Sequence, residues 1–206
     1  MGVLLLQLSG PLQAWGDSSR FLRRSTRREP TKSGVIGLLA SAQGRSREDP
    51  IEDLMRLEFG VRVEQVGRMI RDFQTEHSFD EKKTMPLTNR YYLSDAKFLV
   101  ALSTADREFL ETLNQSLRSP RWPLFLGRRA CPADMPISLG IHDEYASIRQ
   151  ALESEPWRAS HWYRRRYGTP DLEIACDAQD GETFENQADL PLSFSSRGRR
   201  YASRPV

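Results

Sequence analysis

The run Val3-Leu4-Leu5-Leu6-Gln7-Leu8, apolar at nearly every position and stopped by Ser9-Gly10-Pro11, constrains the fold more than any other feature of the chain. A strand with one face in water alternates apolar and polar residues, whereas an unbroken apolar run marks a central strand buried on both faces. The run is far shorter than the roughly 20 residues needed to cross a bilayer, and it lacks the basic segment and cleavage site of a signal peptide. A cytoplasmic protein that does not engage the membrane is expected. With 206 residues the chain has room for one substantial domain and a smaller appendage. Hydrophobic residues at 38% and charged residues at 28% describe a packed core under a heavily charged surface, which excludes the disordered and membrane-spanning classes.

Downstream of this strand, Val35, Ile36, Leu38 and Leu39 share a helical face that Thr31 or Ser33 caps and Gly44 ends. A short helix is expected from Pro50 through Leu54 and Leu57. Phe59, Val61 and Val63 then alternate with polar neighbours and glycine, as in a half-buried strand. From Gly67 to Arg90 periodicity is lost over a stretch too long for an ordinary connection of about 4 to 6 residues. Ala96 to Leu102 is apolar on both faces again. Phe109, Leu110, Leu113 and Leu117 mark a helix opening at Thr104 or Asp106, and a last strand is expected near Pro136 to Leu139. The order strand, helix, strand, insertion, strand, helix, strand predicts an α+β fold of the ferredoxin-like βαββαβ type, also used by RNA-recognition modules. This domain is expected over 1–150, with the insertion at about 67–91. A helix carrying Tyr145, Ile148 and Leu152 leads into a small β-rich C-terminal part over 151–206.

Charge is distributed unevenly. Between Arg20 and Lys32, six basic residues are opposed only by Glu29, whereas Asp171 to Asp189 holds seven acids and neither Lys nor Arg. Almost all of the 30 basic residues are arginine, whose planar fork matches phosphate and whose face stacks on bases, a bias that suits nucleic-acid contact. Cys131 and Cys176 lie far apart without neighbouring ligand spacings, so no disulfide, metal or cofactor is expected.

Four separated segments resemble one family, the CasD subunit of the type I-E CRISPR Cascade complex. They are Leu8-Ser9-Gly10-Pro11-Leu12-Gln13-Ala14-Trp15-Gly16, Pro30-Thr31-Lys32-Ser33-Gly34 with Gly37-Leu38-Leu39, Arg71-Asp72-Phe73, and Leu126-Gly127-Arg128-Arg129-Ala130-Cys131-Pro132. The likeness spans residues 1 to about 152, fades over 153–189 and returns at Leu190 to Val206. It implies a RAMP-type fold with a thumb where the insertion falls, and a non-catalytic subunit that binds the 5′ handle of the CRISPR RNA. It also implies contact with the Cascade backbone subunit and the large PAM-reading subunit, and contact with target DNA only indirectly, through the complex.

Each motif also has a physical reading. Thr31-Lys32-Ser33-Gly34 places free N–H groups at a helix start, beside Arg27 and Arg28, where phosphate would be attracted; the plainer alternative is an ordinary N-cap. Gly127-Arg128-Arg129 combines close backbone approach with paired guanidinium groups, or forms a solvated turn. Gln13 and Trp15 contact an unpaired base, or pack in the core. In the insertion, Arg71 and Arg90 are the expected RNA contacts. The rival function is metal-independent cleavage of repeat RNA, as in type I-C relatives, which needs a base and an acid within reach of the 2′-hydroxyl. His77 is the candidate, with Lys82, Lys83, Tyr91 and Tyr92 as helpers. No fixed spacing identifies such a set.

Overall fold

The computed structural model describes residues 2–16, 22–75, 77–80, 83–168, 171–178 and 185–206; Arg20 and Lys82 lie outside them. The chain opens with β1 (Gly2–Ser9), the two-residue strands β2 (Leu12–Gln13) and β3 (Arg23–Arg24), α1 (Lys32–Gln43), the single turn α2 (Glu52–Met55) and β4 (Glu58–Gln65). β5 (Arg68–Gln74) and β6 (Thr88–Ser94) precede β7 (Lys97–Thr104), α3 (Arg107–Arg118) and β8 (Ser138–His142). Beyond them come α4 (Ile148–Ser154), α5 (His161–Tyr167), β9 (Ile174–Cys176), β10 (Asn186–Ser193) and β11 (Arg200–Pro205).

β1 is central, as its composition requires. The main sheet runs β8-β1-β7-β4-β9 with every neighbouring pair antiparallel. Side chains alternate across it, so the apolar run of β1 feeds two cores. Leu4, Leu6 and Leu8 pack with Ile36 and Leu39 of α1 and with Leu110, Leu113 and Leu117 of α3, whereas Val3 and Leu5 meet Ile148, Ala151 and Leu152 of α4 on the opposite face. Burying each such side chain contributes about 1.5 to 3 kcal/mol, which explains why both faces of β1 are apolar. Local chemistry sets the helix ends. Thr31 Oγ1 accepts the Gly34 N–H at 3.2 Å, Gly44 closes α1 in the left-handed region at φ 78°, and Asp106 accepts the Phe109 N–H at 2.9 Å.

Several expected boundaries move. The strand expected near Pro136 begins at Ser138, and α4 begins at Ile148 under a Ser147 cap. Tyr145 precedes that helix and donates its hydroxyl to Glu155 at 2.9 Å. The insertion without periodicity is a β-hairpin, with β5 and β6 in register from Arg68–Ser94 to Gln74–Thr88. It shows no alternation in sequence because most of β5 is exposed on both faces. β2 and β3 line one edge of β6 and β5 lines the other, making a small second sheet.

The expected division at 150 falls inside α4, and β9 is an edge strand of the main sheet. The C-terminal stretch also contains the helix α5, while β10 and β11 pair as a separate hairpin. A buried ion pair ties the α4–α5 connection across β4. Arg62 Nε donates to Glu64 at 2.6 Å, and its terminal nitrogens donate to the carbonyls of Leu152, Glu155 and Pro156. Among the described residues no helix is long and apolar enough to cross a membrane.

Candidate nucleic-acid interface

The start of α1, the expected phosphate site, is already covered from within the chain. Thr31, Lys32 and Ser33 are buried. The Lys32 N–H donates to an Asp189 carboxylate oxygen at 2.8 Å, and Lys32 Nζ pairs with Asp177 at 2.8 Å. Arg204 bridges the two acids, with Nε on Asp189 at 2.7 Å and Nη1 on Asp177. An aspartate therefore occupies the anion position that the helix start favours. The acidic C-terminal stretch supplies it, so Thr31, Lys32, Ser33 and Gly34 act here as a capped and paired helix start.

Gln13 and Trp15 likewise sit in the interior. Trp15 is 1% exposed, and its Nε1 donates to Gln13 Oε1 at 3.0 Å. Gln13 Nε2 in turn donates to the Ala96 carbonyl at 2.8 Å. A Cβ on Gly34 would stand 2.7 Å from the Trp15 ring, so the missing side chain lets the indole lie against α1. This ring packs in the core and presents no face for a base to stack on. Around it the chain is tied down, with the Arg27 N–H on the Trp15 carbonyl at 2.7 Å and the Trp15 N–H on Thr26 Oγ1 at 2.7 Å. Arg27 pairs with Glu29 at 3.0 Å, whereas Arg28 is exposed.

The loop carrying Gly127, Arg128 and Arg129 folds back against this segment. The Ala14 N–H donates to the Leu126 carbonyl at 3.1 Å, and Gly127 has φ 85° with its α-carbon pressed toward the Ala14 carbonyl. Arg128 Nη1 donates to the Tyr91 carbonyl at 3.1 Å, Nη2 donates to the Arg24 carbonyl at 2.9 Å, and the guanidinium carbon lies 4.7 Å from the centre of the Tyr92 ring. Arg128 thus staples β3 to β6, and the neighbouring Arg129 stays exposed. Cys131 closes the loop, and burial pushes its thiol above the usual range.

Arg128 holds up a surface of cations and rings. Arg23 lies 5.2 Å from the Tyr91 ring centre; Arg71 is the register partner of Tyr91 and lies 4.6 Å from the ring centre of Phe73. Pairing across β6 places Arg24 and Asp72 beside Arg90, whose Nε donates to Thr88 Oγ1 at 3.4 Å. Phe73 is 50% exposed, and Met69, Ile70 and Leu22 are also open to solvent. The structure therefore brings Arg71, Arg90 and Arg128 to one small sheet, leaves Arg129 exposed beside Arg128, and sends Gln13, Trp15 and Thr31 to Ser33 inward. Arg23 and Arg24, which the motifs did not single out as RNA contacts, join the surface with Tyr91, the aromatic residue that follows Arg90 in the insertion. The signal for the two arginines was the arginine run before α1.

The three histidines are dispersed. His77 lies near the hairpin tip with Nδ1 3.2 Å from Thr84 Oγ1, His142 on β8 pairs with Glu144 at 2.8 Å, and His161 opens α5. Tyr92 is buried under Arg128, away from His77. Among the described residues no group of three or more His, Cys, Asp or Glu stands where it would hold a metal ion.

Known proteins match this chain over nearly its whole length. The family described as CRISPR-associated protein (Cas_Cas5) matches residues 3–206. The Escherichia coli (strain K12) protein named CRISPR system Cascade subunit CasD is 32% identical over 173 residues, covering 74% of this chain and 77% of its own. A chain of a solved CRISPR RNA-guided surveillance complex superposes with a TM-score of 0.79 at 32% identity, over 98% of this chain and 87% of that one. A crystal structure of a Cas protein superposes with a TM-score of 0.70 at 39% identity, over 98% and 91%. The resemblance seen in the four sequence segments is thus upheld along the chain, including the C-terminal region where it fades in sequence. The chain belongs to the Cas5 family of CRISPR-associated proteins, to which it is joined by its likeness to the Cascade subunit CasD.

Proposed function

We propose that this protein is a non-catalytic, cytoplasmic subunit of an RNA-guided CRISPR surveillance complex, where it holds the 5′ handle of the guide RNA and caps the backbone filament. The strand order β8-β1-β7-β4 with α1 and α3 on one face supports a ferredoxin-like, RAMP-type reading of residues 1–150. The β5–β6 hairpin is its thumb, and residues 151–206 complete and brace it. The observation that carries the function is the exposed pair Arg23 and Arg71 beside Tyr91 and Phe73, with Arg129 exposed next to Arg128. Guanidinium groups neutralise phosphates and rings receive unstacked bases, the two contacts a single-stranded RNA segment offers. Two relatives, the Cascade subunit CasD and a chain of an RNA-guided surveillance complex, are consistent with this role. Neighbouring faces are then left for the backbone subunit and the large PAM-reading subunit.

Binding is favoured over cleavage because, among the described residues, His77 meets a threonine hydroxyl rather than a group that would act as its acid or base partner. The test is the salt dependence of handle-RNA binding. In the assembled complex, Arg23→Ala, Arg71→Ala and Arg129→Ala together are expected to weaken binding by roughly tenfold or more. They should also lower the slope of log K against log salt by about 2, at about 0.7 for each lost phosphate contact on a single strand. An unchanged affinity and slope would remove this surface from the proposal.

A further inference from the structure

α5 lies at the root of β5 and exposes almost everything it carries. Its anchors are few. Trp157, just before it, donates from Nε1 to the Glu64 carbonyl at 2.7 Å, and the Ser160 N–H donates to Gln65 Oε1 at 3.1 Å. Tyr163 meets Trp157 and Tyr167 with ring centres 6.2 and 4.4 Å away. A helix of seven residues does not persist alone in water, so these contacts hold it in place. No residue of α5 is buried, and Trp162 and Tyr167 are 55% and 53% exposed.

Between those rings stand Arg164, Arg165 and Arg166, none of which has an acidic partner among the described residues. Arg166 lies 5.6 Å from the Tyr167 ring centre, and Arg164 reaches only the Trp157 carbonyl at 3.5 Å. A charge run is ordinarily a solvated face. A solvated face has no need to hold a tryptophan and a tyrosine half in water among its arginines. Unpaired guanidinium forks interleaved with open rings are the chemistry of single-strand binding. The place is also distinct. Glu64 and Gln65 stand before the first residue of β5, whereas Arg71, Phe73 and their register partners Tyr91 and Asn89 lie further along the hairpin.

We propose that α5 is a second nucleic-acid contact, separate from the guide-RNA surface, which binds single strands through phosphates on Arg164, Arg165 and Arg166 and base faces on Trp162 and Tyr167. These groups are common to DNA and RNA, and the contact takes either. The proposal rests on the guide-RNA reading only in assigning the hairpin surface of Arg23, Arg71 and Tyr91 to the handle.

Fluorescence anisotropy of the full chain with labelled oligo(dT) and oligo(U) tests it. The triple variant Arg164→Ala, Arg165→Ala, Arg166→Ala is expected to bind both strands roughly tenfold more weakly, with a salt slope lower by about 2. Trp162→Ala is expected to weaken both without changing the slope, because a stacked base rather than a phosphate contact is lost. Handle-RNA affinity in the assembled complex should stay unchanged. Unaltered oligonucleotide binding overturns the proposal and leaves α5 as a protein-facing or solvated helix. A loss confined to handle RNA also overturns it, by making α5 part of the guide surface. If the sheet variants keep full handle binding while the α5 variants lose oligo(dT), the guide-RNA reading fails and the α5 contact stands.

Discussion

Replacing Asp189 with alanine is expected to destabilise the protein by about 3 to 5 kcal/mol, the cost of leaving a buried charge without its partner. Asp189 is fully enclosed and serves two elements at once, taking Arg204 from β11 and the Lys32 N–H at the start of α1. Without it, Arg204 keeps only Asp177, and the first turn of α1 loses the anion that covers its free N–H groups. Asp189→Asn retains an acceptor for the Lys32 N–H but not the charge, so a smaller loss is expected. Urea unfolding followed by circular dichroism reads both, as a lower midpoint at unchanged slope. A midpoint unmoved in Asp189→Ala would show that the network does not hold the C-terminal hairpin to the core.

Gly127→Ala is the second large effect, at about 3 kcal/mol or more. The residue has φ 85°, where a side chain is strained by itself, and a Cβ there would fall 1.7 Å from the Ala14 carbonyl oxygen. Neither group yields easily, because Ala14 is held by its hydrogen bond to Leu126 and flanked by the buried Gln13 and Trp15. The loop must open, and Arg128 then leaves the carbonyls of Tyr91 and Arg24. Loss of stability by thermal melting and loss of handle binding should therefore appear together. A variant as stable as the parent would contradict the close approach.

Much of the frame could be read from local chemistry. The β1 run and the glycine ending α1 stand where the sequence puts them, and of the caps it offered, Thr31 or Ser33 and Thr104 or Asp106, the fold takes Thr31 and Asp106. The hairpin was visible only as lost periodicity, because strands open on both faces need not alternate. The site divided for the same reason. Arg71 and Arg129 are exposed, as an arginine-rich composition leads one to expect of surface residues. Thr31 to Gly34 carry a helix-start pattern that attracts an anion, and the sequence could not say that the anion is Asp189, 157 positions away. Trp15 posed a choice between stacking and packing that only its neighbours Gln13 and Gly34 decide.

Ultraviolet crosslinking of the assembled complex, with the guide RNA carrying photoreactive uridine in its 5′ handle, tests the central claim most directly. The predicted result is handle crosslinks in peptides holding Arg23, Tyr91, Phe73 or Arg129, with none at Trp15 or at the start of α1. Handle crosslinks confined to other subunits, or crosslinks from these peptides only to the spacer, would contradict the account.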